Sequence, residues 1–355
     1  MTRRFAHKAA EFRLSSVTPS LMNPADPLKP KPLLSIRRLK VNYRTRRILP
    51  WHREPAVRAV DDIHFDLYAG QTLGIVGAPG CGKRTLALAL SDQLPTSAGS
   101  IRYRDQELTA LSKKDWLQLR PQIQLASLNG RYALPPRKSA IDVVAESLRG
   151  LRPAVALAER RARATAALAA VGVEADIGAK PAGDLERSAC VRVALARALA
   201  TNPQLLICDE LLSGLEAAAR QPLITLLTAL RGSGERAVIH ISDDFALTAQ
   251  LADRVLVMYL GKVMEQGAAA SLHSQPKHPY SRELLTAPPV DARAAPPVVS
   301  RWLPSRDTAR SHPPMGCVYH PRCPLAEHAC VQSVPLLRRV KGEHYVACHF
   351  VAGGR

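Results

Sequence analysis

The sequence has 355 residues, of which 46% are hydrophobic, so it can form one large domain or two modest ones with a substantial core. Its formal net charge is +19, from 49 Lys and Arg against 30 Asp and Glu. Such a charge favours lipid, nucleic acid or nucleotide as partners, although a solvated Arg-rich surface explains any single Arg cluster equally well. No run of about 18 apolar residues is present, which argues against a membrane-spanning helix.

Residues 1–32 contain Pro and Lys without hydrophobic periodicity, so we expect a disordered basic tail there. The tail also lacks the apolar core of a secretory signal, and we therefore expect the chain in the cytosol. In that reducing compartment the seven cysteines are not expected to form disulfides.

The first part of the ordered chain alternates apolar and polar residues, as strands do. The predicted strands cover residues 34–36, 39–43, 57–60, 63–67 and 72–76, with a basic loop at 44–55. A glycine-rich loop follows the last of these strands and leads into an apolar helical segment at Leu86–Leu90.

The second part is predicted to be mostly helical from residue 113 to about 202. Strands at 205–208, 237–242 and 254–259, a helix at 217–231 and a hairpin turn at Gly261-Lys262 follow. Strands that alternate with helices indicate an α/β fold. We expect a core domain over 33–265 with a helical subdomain at about 113–202, and a Pro-rich, Cys-containing C-terminal extension over 266–355.

The loop after the strand at 72–76 has the spacing of a P-loop, G-x-x-x-x-G-K-[ST], with one departure. Arg84 occupies the position at which a hydroxyl normally binds Mg²⁺, and Thr85 lies one residue further, about 100° around the helix. Backbone N–H groups of such a loop bind phosphates, and Lys83 is expected to contact the β- and γ-phosphates. The predicted loop comprises Gly77, Ala78, Pro79, Gly80, Cys81, Gly82, Lys83, Arg84 and Thr85.

The apolar segment Leu205–Cys208 ends in two carboxylates, Asp209 and Glu210. Taken alone, it is more simply interpreted as a buried strand with an acidic end. With a P-loop upstream, Asp209 is expected to hold Mg²⁺ and Glu210 to act as general base towards the attacking water.

These two motifs together resemble the ATP-binding subunits of ABC transporters, and the flanking segments resemble those of oligopeptide and dipeptide importers. The segments that carry the resemblance are Ala194–Leu199, Asn202-Pro203, Leu206–Glu210, Ala252–Val255, Val257–Lys262 and His278–Leu285. The resemblance implies a RecA-like core with an antiparallel β subdomain and a helical subdomain. It also implies that Tyr43 stacks on adenine.

The same resemblance implies a set of partners. They are a second ABC ATPase subunit in a head-to-tail dimer, two integral-membrane permeases and, indirectly, a peptide-binding protein. The chain would then lie peripherally at the cytoplasmic face of the plasma membrane. Nucleic acid is not expected as a partner, because no recognition motif is present and only 5% of residues are aromatic.

Several positions depart from the family pattern, and all of them concern Mg²⁺, the γ-phosphate or the dimer interface. Besides Arg84, Leu128 replaces the Q-loop glutamine, and Asp243 replaces the switch histidine. Glu186 lies in the signature segment Leu185–Ala189, and Glu216 ends the D-loop. We therefore expect ATP binding with slow or absent hydrolysis; the alternative is a pseudo-ATPase with a structural or regulatory role. If Arg84 supplies positive charge near the Mg²⁺ position, nucleotide binding should survive chelation of metal.

Four cysteines near the C-terminus, Cys317, Cys323, Cys330 and Cys348, have the spacing C-x₅-C-x₆-C-x₁₇-C. Four thiolates suit a tetrahedral metal or an iron–sulfur cluster. The alternative is that these cysteines pack as small buried apolar residues without binding a metal. The family resemblance implies a [4Fe–4S] cluster, with Zn²⁺ as the second option. The remaining cysteines, Cys81, Cys190 and Cys208, are expected to be packing or loop residues.

Overall fold

In the computed structural model of the chain, the described residues are 31–43, 56–129, 133–152, 154–230, 236–286 and 313–351. The predicted tail, apart from its last two residues, lies outside the described residues, as does the basic loop at 44–55. Residues 287–312 of the Pro-rich segment also lie outside them. The described residues from Pro32 onward belong to one compact unit.

Two β-sheets organise this unit. The strands, in chain order, are β1 (Leu34–Tyr43), β2 (Val57–Leu67), β3 (Thr72–Val76), β4 (Ala98–Tyr103), β5 (Gln106–Glu107), β6 (Ile123–Ser127), β7 (Leu205–Asp209), β8 (Ala237–Ser242), β9 (Arg254–Tyr259), β10 (Lys262–Ala268), β11 (Arg338–Lys341) and β12 (His344–Val346).

The smaller sheet is antiparallel with the order β2-β1-β4-β5. The pairs of short strands predicted at 34–43 and 57–67 are single long strands, because register shifts within the β1–β2 pairing absorb the breaks in alternation. Strands β4 and β5 were not predicted. One face of this sheet packs on the helix that follows the P-loop, within a core that includes Ile36, Leu86 and Ile101.

The larger sheet has the order β11-β12-β10-β9-β3-β8-β7-β6. Its five strands from β9 to β6 run parallel, and β10, β12 and β11 extend it antiparallel. Strand β6 lies in the segment that we predicted to be helical. That prediction was wrong there, because residues 123–127 pair with β7 at the edge of the parallel sheet and bury their apolar side chains.

The helices lie between these strands and after them. In chain order they are α1 (Lys83–Leu90), α2 (Lys113–Leu119), α3 (Ala140–Leu151), α4 (Leu157–Ala170), α5 (Ala175–Ala179), α6 (Arg187–Leu199), α7 (Ala217–Ala229), α8 (Phe245–Leu251), α9 (Ala269–Ser274), α10 (Pro279–Thr286) and α11 (His328–Gln332). Helices α3 to α6 pack around a second, Ala- and Val-rich core that also contains Leu206 of β7. Among the described residues, no helix has the length and hydropathy needed to cross a bilayer.

The C-terminal elements share the sheet of the core. Strand β10 crosses residue 266, the predicted start of the extension, and β12 pairs with it through Glu265 and Gln266. The domain boundaries themselves stay a prediction. Because the C-terminal region and the P-loop strand belong to one sheet, the two regions can contact each other directly.

Candidate nucleotide site

The loop from Gly77 to Gly82 connects β3 to α1 and needs glycine at its end. Gly82 has φ +112°, and a Cβ there would lie 2.0 Å from the Ala59 carbonyl oxygen. Helix α1 begins at Lys83 and has no acidic residue in its first turn. Its free N–H groups therefore present the positive end of the helix dipole to an anion.

A cavity of about 270 Å³ opens over this loop and the start of α1. Glu210 reaches it from the end of β7, and Tyr43 reaches it from the end of β1. Of the residues predicted for the site, those that line the cavity are Tyr43, Pro79, Gly80, Cys81, Gly82, Lys83, Arg84, Thr85 and Glu210.

Lys83 is folded back onto the loop. Its side chain is 3% exposed, and Nζ donates to the carbonyl oxygens of Gly77 at 2.6 Å and Ala78 at 3.3 Å. Nζ also lies 3.8 Å from Glu210 Oε1. The ammonium is thus already at the loop, where it can attract a polyphosphate.

Asp209 is a buried carboxylate that meets a cation. Its side chain is 2% exposed, and Oδ2 lies 3.9 Å from Arg84 Nε and accepts from the Ser127 hydroxyl at 3.2 Å. Burial raises the pKa of Asp209, and the Arg84 guanidinium and the Ser127 hydrogen bond partly offset that rise. The structure therefore brings Arg84, at the position of the missing hydroxyl, next to Asp209, the predicted Mg²⁺ ligand.

Glu210, the predicted general base, has a strained backbone and acidic neighbours. Its φ of 51° lies in the left-handed region, and its N–H donates to the Ile241 carbonyl at 3.0 Å. Burial raises the pKa of Glu210, Lys83 opposes this, and the charges of Asp209 and Asp243 raise it further. Asp243 is thus close enough to affect Glu210 electrostatically. It adds negative charge at this place, where the family pattern has a histidine.

Tyr43 contacts the P-loop helix instead of standing free. Its hydroxyl lies 3.1 Å from Thr85 Oγ1. Tyr43 is 39% exposed and lines the cavity. Thr85 is the residue after Arg84, where the family pattern has a hydroxyl. Its own hydroxyl is therefore already hydrogen-bonded to Tyr43.

Leu128 does not face the nucleotide site. It packs against the apolar core shared by α3 to α6. Its neighbour Ser127 is the polar residue that reaches Asp209, and this contact was missed from the sequence. If residues 123–127 had been recognised as a strand next to β7, the contact could have been expected, because β6 and β7 pair Ser127 with Asp209 directly.

The signature and D-loop segments contact each other within the chain. Arg187, the residue after Glu186, donates from Nε and from its terminal nitrogen to the Ser213 carbonyl, at 3.1 and 2.8 Å. Glu186 and Glu216 are exposed residues that precede α6 and α7, and neither side chain caps its helix. Both carboxylates thus face outward at helix starts.

Tyr280 was missed as a site residue, although its segment was noticed for its family resemblance. It is 1% exposed on α10, and its hydroxyl accepts a 2.8 Å hydrogen bond from the Ala78 N–H, 202 residues away in sequence. Its ring packs against Tyr259 and Tyr319 with centroid separations of 4.7 and 5.4 Å. The C-terminal region therefore holds the P-loop directly.

The four C-terminal cysteines lie in one region. Cys317 N–H donates to the Cys330 carbonyl at 2.8 Å, and burial together with the charges of the other three raises the pKa of the Cys317 thiol. However, no group of three or more His, Cys, Asp or Glu within the described residues is arranged to hold a metal ion. The geometry gives no support to the expected cluster or to zinc. The seven cysteines, all of which are described, are free thiols in the structure.

Comparison with protein families agrees with this geometry. The ABC transporter family matches residues 60–213, and the C-terminal region of oligopeptide/dipeptide transporters matches residues 264–330. The chain is 32% identical over 319 residues to the oligopeptide transport ATP-binding protein OppF of Haemophilus influenzae, covering 89% of this chain and 96% of that protein. The chain belongs to the ATP-binding subunits of the ABC transporter family, with an oligopeptide/dipeptide-type C-terminal region.

The Escherichia coli OppF protein gives a similar result, with 33% identity over 321 residues, 90% of this chain and 96% of that protein. Among solved structures, the ATP-binding cassette MJ0796 bound to ADP and Pi matches with a TM-score of 0.59 and 20% identity, over 66% of this chain and 98% of that chain. The cbiO1 protein from Clostridium perfringens matches with a TM-score of 0.59 and 25% identity, over 69% of this chain and 92% of that chain. The predicted ABC-type α/β fold and the family resemblance are confirmed.

Proposed function

We propose that this chain is the nucleotide-binding subunit of a peptide importer, and that its own ATP site hydrolyses slowly or not at all. The observation that carries the second part is the pairing of Arg84 with Asp209 at 3.9 Å. In P-loop ATPases that place is taken by a hydroxyl and by Mg²⁺. A guanidinium supplies charge there but cannot polarise water as a coordinated metal does.

The surroundings of Glu210 support the same conclusion. Asp243 adds negative charge where a donor to the γ-phosphate would assist, and Leu128 is packed away from the site. The loss of one electrostatic stabiliser typically lowers a rate by about 10²–10³, so several losses together leave little turnover. The alternative, a pseudo-ATPase that binds ATP only to maintain or regulate a complex, is the limiting case of this proposal.

The family also suggests the setting. We propose a heterodimer with a second ABC ATPase, placed under two membrane permeases that receive peptide from a binding protein, at the cytoplasmic face of the membrane. The names of the OppF relatives support oligopeptide transport as the process.

ATP turnover is the test. We expect the purified protein, alone and with its partner ATPase, to hydrolyse ATP no faster than the Lys83→Ala variant. In the complex, the partner's own P-loop lysine is inactivated, so that phosphate release reports the site of this chain alone. Robust turnover that depends on Lys83 would contradict impaired hydrolysis and leave an ordinary ABC ATPase.

The C-terminal cysteines play no part in this proposal, because their geometry does not support a metal site. Iron, sulfide and zinc analysis of anaerobically purified protein, with a visible absorption spectrum, decides the matter independently. Stoichiometric iron and sulfide with broad visible absorbance would restore the [4Fe–4S] prediction, and stoichiometric zinc would restore its alternative.

A further inference from the structure

Arg84 is placed to do more than replace a metal ligand. It is the second residue of α1, its side chain is 45% exposed, and it lines the cavity over the P-loop. Its guanidinium therefore contacts the buried carboxylate on one side and is accessible from the cavity on the other. Arginine has five N–H donors in a planar arrangement, so it can bind a carboxylate and a phosphate at the same time.

Asp209 needs a cation at this place. At 2% exposure its carboxylate is removed from water, and within the described part of the chain Oδ1 has no hydrogen-bond partner. Oδ2 accepts from the Ser127 hydroxyl and lies 3.9 Å from Arg84 Nε, and Lys83 adds positive charge nearby. A buried carboxylate in this situation is strongly destabilised unless positive charge compensates it, and Arg84 supplies that charge within the protein.

The hydroxyl nearest in sequence that could complete a metal site is engaged elsewhere. The Thr85 hydroxyl is bonded to Tyr43, and Leu128, at the position of the Q-loop glutamine, offers no ligand atom. Next to Asp209, the described residues thus provide a fixed cation, while the Ser127 hydroxyl is bonded to Asp209 and the Glu210 carboxylate lies 3.8 Å from the Lys83 ammonium. A guanidinium at 3.9 Å from Oδ2 would also repel a divalent ion from that oxygen.

We propose that this site binds nucleoside triphosphate as the metal-free polyanion, with the Arg84 guanidinium between Asp209 and the phosphates in place of a divalent cation. The inference deepens the proposed function and rests on it, because it concerns the same nucleotide site. No covalent step is involved: Lys83, the P-loop N–H groups and Arg84 provide the positive charge that free ATP needs.

The test compares ATP affinity with and without metal. We would measure Kd for the sodium salt of ATP by calorimetry, in EDTA and in Mg²⁺, for the full-length protein. For the wild type the two values should agree within threefold. Arg84→Ser, which restores the family's hydroxyl, should bind at least tenfold more weakly than wild type in EDTA and recover in Mg²⁺. Arg84→Lys keeps a positive charge, so its ATP affinity in EDTA should fall less than that of Arg84→Ser.

Two controls separate this effect from others. Arg102→Ser removes an exposed arginine that does not line the cavity and should match the wild type in both buffers. Lys83→Ala should weaken binding in both buffers alike. Circular dichroism and thermal unfolding check that each variant is folded.

A second measurement does not depend on the stability of a variant. In electron paramagnetic resonance titrations, the wild-type protein should not increase the affinity of ATP for Mn²⁺, whereas Arg84→Ser should.

The proposal is overturned if wild-type binding weakens threefold or more in EDTA. It also fails if Arg84→Ser binds within tenfold of wild type in EDTA, or if wild-type protein tightens Mn²⁺ on ATP. Lys83-dependent hydrolysis in Mg²⁺ together with EDTA-resistant binding would overturn only impaired turnover. Absence of ATP binding in both buffers would overturn both proposals.

Discussion

His240 is a titratable side chain buried in the middle of the parallel sheet. It lies on β8 between β3 and β7, is 2% exposed, and neither ring nitrogen has a hydrogen-bond partner in the described part of the chain. Burial lowers the pKa of His240 to about 4. The folded protein therefore keeps this imidazole neutral at pH values where the unfolded chain, with a pKa near 6.5, takes up a proton.

We predict that His240→Leu stabilises the protein, and more so in acid. Two unpaired buried nitrogens are removed, which favours the folded state by about 1 kcal/mol at pH 7.5. Because the pKa is lowered on folding, the wild type loses stability as pH falls from 6.5 towards 4, and the variant lacks this loss. At pH 5 the difference should be about 2 kcal/mol larger than at pH 7.5. Urea unfolding at both pH values measures it, and an equal difference at both would refute the pKa argument.

At the nucleotide site the sequence predicts which residue types meet, but not which hydrogen-bond partner each side chain has. The approach of Arg84 to Asp209 follows from motif spacing, because P-loop and strand end share one edge of a parallel sheet. The Tyr43–Thr85 and Ser127–Asp209 contacts depend on side-chain directions that local patterns do not fix. The predicted metal site stays a prediction without support from the described residues, because cysteine spacing gives the donors, whereas the fold sets their distances.

Among the elements, α10 and β10 connect the C-terminal region to the P-loop. Tyr280 of α10 accepts the Ala78 N–H, and Glu265 of β10 accepts the N–H groups of Lys277 and His278 at 2.7 and 2.9 Å. Glu265 is also 2.6 Å from His344 Nε2 on β12. No sequence pattern predicts such contacts, because they join residues far apart in the chain. Strand β6 was not predicted because a five-residue segment with only three apolar residues is too short to distinguish strand from helix by its pattern.

We predict that Tyr280→Phe weakens ATP binding by about 5- to 150-fold, because it leaves the half-buried Ala78 N–H without its acceptor and the P-loop is no longer held in its binding conformation, at a cost of about 1–3 kcal/mol. The ring packing against Tyr259 is kept. Tyr319→Phe, which removes the hydroxyl that donates to Glu283, is the matched control and should bind ATP as the wild type does. Calorimetry measures both variants. Equal affinities for all three proteins would show that α10 does not position the loop.

We predict that Glu265→Gln loosens the C-terminal region. The N–H groups of Lys277 and His278 bond to different oxygens of Glu265, so the NH₂ group of a glutamine would face one of them and about 2 kcal/mol of stability is lost. Hydrogen exchange should increase at residues 277–286 and 344–346. Glu343→Gln, at an exposed neighbour of His344, is the control. Unchanged exchange in Glu265→Gln would mean that other contacts hold these elements.

At the scale of the whole molecule, the described residues form the two sheets of an ABC ATPase, while three residues to which we attribute impaired hydrolysis depart from the family's motifs. Both sheets, the P-loop and the cavity are formed, and the altered residues lie at the ends of separate elements, Arg84 on α1, Leu128 after β6 and Asp243 after β8. Because they lie on separate elements, the three can be changed one at a time; of these changes, L128Q touches an apolar core, that of α3 to α6. The site can therefore be rebuilt stepwise.

We predict that restoring one group does not restore hydrolysis, whereas restoring three does. In the presence of a partner ATPase inactivated at its own P-loop lysine, Asp243→His alone should remain at the background set by Lys83→Ala. Each missing stabiliser lowers the rate by about 10²–10³, so the two that Asp243→His leaves unrestored, at Arg84 and Leu128, still suppress it by about 10⁴ or more. The triple variant R84S/L128Q/D243H should hydrolyse ATP in Mg²⁺, and adding K83A should abolish this. The measurement is phosphate release per complex. Turnover by Asp243→His alone would show that the switch position by itself limits the site and that Arg84 and Leu128 are compatible with catalysis.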